Sequence, residues 1–73
     1  MNARQLRLLN AVRTYGGQWT TARARALYTV TDPGASQRGT ARRDLALLHR
    51  AGHLALVDTP NNKHYIPTWK DMP

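Results

Sequence analysis

The residues best suited to chemistry lie between positions 36 and 50. There the chain reads Ser36-Gln37-Arg38-Gly39-Thr40-Ala41-Arg42-Arg43-Asp44-Leu45 and closes on His49-Arg50. A guanidinium offers a planar fork of donors that matches a phosphate or the O6/N7 edge of guanine, and a glutamine amide matches adenine. Gln37, Arg38, Thr40, Arg42 and Arg43 are therefore read as nucleic-acid contacts, with Ser36 opening the segment. Thr20 and Thr21, followed by Arg23 and Arg25, form a second group. Hydroxyls and backbone N–H groups at a helix start can hold a phosphate, and the two arginines would flank it. A third group, Asn61, Asn62, Lys63 and His64, spans a polar turn and the start of the segment after it, a tip that can reach a neighbouring groove or backbone. The competing reading of each arginine is a plain solvated face. Arg4, Arg7 and Arg13 fall outside the three groups and are read first as supporting residues.

The charge balance agrees with this chemistry. Eleven Lys and Arg stand against four Asp and no Glu, a net charge of +7 over 73 residues. All nine arginines lie in residues 1–50, opposed only by Asp32 and Asp44, while residues 51–73 are neutral overall. A domain this basic has a polyanion as its default partner. Enrichment in Arg and Ala also follows from GC-rich coding, and the two explanations are compatible.

Other chemistries find little support. There is no cysteine, so disulfides and Cys-based zinc sites are excluded. His49 and His53 are four apart, but Gly52 breaks the helix between them, so no metal and no cofactor are expected. The four aspartates are scattered and unpaired, which argues against an enzyme. No stretch approaches the roughly 20 apolar residues of a membrane span. The N-terminal residues lack the apolar run of a secretory signal. A cytoplasmic protein, nucleoid-associated when bound, is the expectation.

A single domain over residues 1–73 must position these groups with a thin core, since a chain this short buries only about 60% of its unfolded surface. The spacing predicts a first helix over 2–15, capped by Asn2, with Leu8, Val12 and Tyr15 on one stripe, Leu9 beside them and Leu6 on its flank. Gly16-Gly17 stops it. Thr20 or Thr21 caps a second helix over about 21–29 with a narrow face of Ala24 and Leu27, and Trp19 folds back as a staple. Thr31-Asp32-Pro33-Gly34 marks a turn. Ser36 opens a third helix over about 36–51, with Ala41, Leu45 and Leu48 inward and Arg42, Arg43, Ala46 and Arg50 outward. Asp44 lies near the inner side and is read as a structural partner for an arginine or a backbone group. Residues 54–67 then form a β-hairpin, with Tyr65 and Trp69 closing the core. The fold class is mainly α with a small β-hairpin.

Two helices joined by a turn, an Arg-rich second member and a following hairpin resemble the winged helix-turn-helix superfamily. The run Thr40-Ala41-Arg42-Arg43-Asp44-Leu45, then Leu48 and the closing Gly52, resembles the recognition helix of DeoR-type bacterial regulators. The likeness covers about 20 residues. Ser36 stands one residue further from Thr40 than that pattern has it, Ala41 replaces a larger aliphatic, and the preceding turn is longer. The resemblance implies three helices plus a wing and a DNA-facing third helix. The fold and the DNA-facing helix are what carry over, not a sugar-phosphate sensor.

Three readings stand at this point. One is a sequence-specific double-stranded DNA-binding protein, most simply a small bacterial, phage or plasmid transcriptional regulator. Another is an accessory DNA-binding factor for excision, replication or plasmid and phage maintenance. The last is a protein-binding or RNA-binding winged helix, its charge aimed at an acidic partner. A homodimer through the first helix or the 67–73 tail, a cooperative array and a monomer all remain open.

Overall fold

The computed structural model describes residues 1–68. The elements run α1 (Ala3–Tyr15), α2 (Thr21–Thr31), a single 3-10 turn (Pro33–Ala35), α3 (Arg38–Arg50), β1 (Leu54–Thr59) and β2 (Asn62–Pro67). Three helices followed by a two-stranded antiparallel hairpin are compatible with a winged-helix-like arrangement. No helix among the described residues is long and apolar enough to cross a membrane.

Each helix boundary has a local cause. Asn2 caps α1 in a reciprocal box: its Oδ1 accepts from the Gln5 N–H at 2.8 Å, and the Gln5 Oε1 accepts from the Asn2 N–H at 3.0 Å. Thr20, not Thr21, caps α2, accepting from the Arg23 N–H at 3.2 Å. That helix runs two residues past the expected end, because Thr31 is still helical and only Asp32 leaves the helix. The third helix starts later than expected. Ser36 does not cap it; its hydroxyl donates to the Pro33 carbonyl within the turn, and Gln37 is the N-cap residue without a side-chain bond. At the other end Gly52, with φ +89°, closes α3. The His53 N–H bonds to the Leu48 carbonyl and the Gly52 N–H to that of His49, which is the Schellman pattern that favours glycine at this position.

The core gathers Leu8, Leu9 and Val12 from α1, Trp19 from the loop, Ala24 and Tyr28 from α2, Ala41, Leu45 and Leu48 from α3, and Leu54 from β1. Full burial of each Leu contributes about 1.5–3 kcal/mol. The expected α1 stripe runs too far at its C-terminal end, where Tyr15 is 72% exposed, and Leu6 on its flank is exposed as well. Gly16 turns the chain away immediately after Tyr15, so no element covers that ring. In α2 the buried partner of Ala24 is Tyr28, one turn on, with Leu27 only half-buried.

The hairpin pairs Leu54 with Pro67 through Thr59 with Asn62, so only Pro60 and Asn61 form the turn. Neither has positive φ. A further pairing lies outside the hairpin. Trp19 and Tyr65 exchange backbone hydrogen bonds of 2.7 and 2.8 Å, which sets the loop between α1 and α2 against the far side of β2.

Candidate nucleic-acid interface

Asp44 fixes the orientation of α3. It is 2% exposed, yet its carboxylate accepts four hydrogen bonds: two from the Arg4 guanidinium (2.7 and 3.1 Å), one from the Gln5 amide (2.9 Å) and one from the Tyr28 hydroxyl (2.7 Å). One side chain on α3 thus ties α1 and α2 together, and the expected structural partnership with an arginine is present. Burial works to raise the Asp44 pKa. The hydrogen bonds from Arg4, Gln5 and Tyr28, with the Arg4 charge, outweigh it and hold the carboxyl below its ordinary value. Burial, then donation to Asp44, pushes the Tyr28 phenol up.

With Ala41, Asp44, Leu45 and Leu48 facing inward, successive residues about 100° apart set the outer surface of α3. Gly39, Arg43, Ala46 and Arg50 lie directly opposite the core. Arg38, Arg42 and His49 form the flank on the hairpin side. Here the His49 Nδ1 is 2.9 Å from the Leu54 carbonyl and its ring centroid is 5.6 Å from that of Tyr65. Thr40 and Leu47 form the flank toward α1, where a groove of about 510 Å³ is lined by Arg4, Gln5, Thr40, Arg43, Asp44, Ala46, Leu47 and Arg50.

On the hairpin side a cleft of about 370 Å³ is lined by Trp19, Thr20, Thr21, Arg42, Lys63 and Tyr65. It brings together residues from all three groups singled out in the sequence: Thr20 and Thr21 at the start of α2, Arg42 on α3 and Lys63 on β2. The first turn of α2 turns the positive end of its dipole toward this space. Gln37, Arg38, Arg43, Asn61 and Asn62 are exposed, and Thr40 is half-buried.

Other residues are placed differently. Arg23 lies over the Trp19 ring, 3.9 Å from its centroid, and its Nη1 donates to the Gly16 and Gln18 carbonyls. It braces the loop that carries Trp19. Arg25 donates to the Ser36 carbonyl at 3.1 Å and holds the turn before α3. His64 is not at the hairpin tip. The strands continue almost to the turn, so the alternation sets His64 opposite Val57 and turns it inward, 7% exposed with an unpartnered Nδ1, while Lys63 and Tyr65 take the other face. Trp69 lies outside the described residues. Among those described, no group of three or more His, Cys, Asp or Glu could hold a metal ion.

Sequence reasoning missed Trp19 and Tyr65 as walls of the cleft, because their pairing joins positions 46 residues apart and leaves no local pattern. Tyr28 did carry a signal, the i, i+4 spacing from Ala24. No protein-family model matches the chain, and neither a curated protein nor a solved structure matches it.

Proposed function

We propose that this chain is a sequence-specific double-stranded DNA-binding domain of the winged helix-turn-helix type, acting as a small transcriptional regulator. In this reading α3 enters the major groove and the hairpin serves as a wing on the adjacent backbone or minor groove. The observation that carries it is the meeting of Thr20, Thr21, Arg42 and Lys63, from three separate elements, around one cleft beside the outward face of α3. Electrostatics supports the same surface. Asp32 and Asp44 engage Arg7 and Arg4 on α1, and Arg38, Arg42, Arg43 and Arg50 have no acidic partner among the described residues. A groove about 12 Å wide admits such a helix.

The test is binding-site selection from random duplex DNA, followed by titration of the selected and a scrambled duplex at two salt concentrations. The expected result is a convergent motif bound well above the scrambled sequence, its symmetry reporting monomer, repeat or dimer. Equal binding that collapses steeply with salt would reduce the interaction to phosphate attraction and remove the regulator reading.

A further inference from the structure

We infer that the adjacent arginines Arg42 and Arg43 have different jobs: Arg42 clamps a backbone phosphate and Arg43 is the base-reading, specificity-determining residue. The inference rests on the DNA-binding reading above and goes beyond it by dividing one motif between two ligand groups.

The division follows from placement. One residue along a helix is a turn of about 100°, so neighbouring side chains leave the helix in different directions. Arg42 lines the cleft with Thr20, Thr21 and Lys63, on the flank of α3 where His49 already touches Tyr65 and Leu54. A group held there meets two cations and two hydroxyl-bearing residues, a setting for a phosphate oxygen and not for a base edge. Arg43 instead lines the groove toward α1 with Thr40 and Arg50, where the Asp44 carboxylate, bonded to Arg4, disfavours a phosphate. It stands on the face directly opposite the core, and no acidic side chain among the described residues holds it aside.

Its surroundings favour close approach. Gly39 precedes it by one turn and Ala46 follows it by one. A methyl group built on Gly39 would meet nothing within 4 Å, so the fold itself does not require glycine there. Small residues on both sides let the helix axis approach a groove floor, and the Arg43 fork then reaches base edges.

Lysine variants separate the two roles, because lysine keeps the charge and loses the fork. Arg42→Lys should weaken selected and scrambled duplexes by the same small factor, leaving both their ratio and the salt slope as in the wild type. Arg42→Ala should weaken both alike and lower the slope of log affinity against log salt by about one. Arg43→Lys and Arg43→Ala should lose roughly 10–100-fold of discrimination at one base pair, with that position degenerating in a repeated selection. Thermal melts confirm that each variant folds, which the exposure of both side chains leads one to expect. Base preference that survives Arg43→Lys, or that is lost in Arg42→Lys, overturns the division while leaving DNA binding intact. A wild type that selects no motif removes the underlying reading as well.

Discussion

The α1 side and the α3 side of this molecule use the same residue type to opposite ends. On α1, Arg4 forms a two-pronged bond to buried Asp44, and Arg7 pairs with Asp32 at the end of α2. On α3, Arg38, Arg42, Arg43 and Arg50 meet no carboxylate among the described residues. The first fifty residues contain only those two aspartates, and both are engaged by α1. On these two helices an arginine's role follows from where the few acids lie. The Arg4 pair ties α1 to α3, whereas the four arginines of α3 leave a field directed outward.

The comparison breaks most sharply at Asp44. Asp44→Ala should leave the half-buried Arg4 guanidinium and Gln5 amide and the buried Tyr28 phenol without their acceptor and cost roughly 3 kcal/mol. A chain of this length has a total stability of about 4–11 kcal/mol. Circular dichroism melts should therefore show a protein close to unfolding at physiological temperature; a melting point within a few degrees of wild type would mean that α3 is held otherwise.

A subtler form of the same experiment uses pH. The Asp44 carboxyl is depressed in the folded state. Its stabilisation is complete above the unfolded value of about 4 and is lost as the pH falls through the lower folded value. Urea midpoints should stay level from neutrality to about pH 5 and decline below pH 4, and Asp44→Asn should flatten that decline.

Gly39→Ala sharpens the other half. The added methyl meets open space and replaces a glycine in the first turn of α3, so the domain should gain about 0.5 kcal/mol. If the outward face of α3 approaches DNA closely, affinity should fall as stability rises, a pairing visible by melting and titration of one preparation. The smallest effect belongs to Arg7→Ala. Its pair with Asp32 is at the surface, so neither the melting point nor DNA affinity should move measurably. A loss of affinity there would extend the interface onto α1.

The helices were legible because their signals are local. Asn2, Thr20 and Gly52 announce ends through chemistry within a few residues, and the Ala41-Leu45-Leu48 spacing orients α3. Asp44 could be assigned a structural role from its place beside the inner stripe, but its set of donors could not. Arg4, Gln5 and Tyr28 come from two other helices. Arg23 and His64 show the limit more plainly. Arg23 looks like a phosphate ligand by type and spacing, yet the turn at Gly16–Gln18 places carbonyl acceptors and an indole face beside it. His64 reads as a tip residue until the strand length is known, since one step along a strand exchanges tip-facing and inward sides. The candidate cleft was present in the sequence as three separate polar groups. That they share one space depends on how the hairpin docks.

The exchange of hydrogen bonds between Trp19 and Tyr65 bears on the entropy of association. It gives β2 a second backbone partner at one position, Tyr65, on the edge away from β1. The base of the hairpin is therefore ordered before any partner arrives, and the residues left to immobilise on contact are those near Pro60 and Asn61. Ordering costs grow with the number of groups that lose freedom, so a pinned hairpin confines that cost to its tip. The Trp19 and Tyr65 amides should accordingly be among the slowest in the hairpin region to exchange with solvent deuterium, and those of the tip among the fastest.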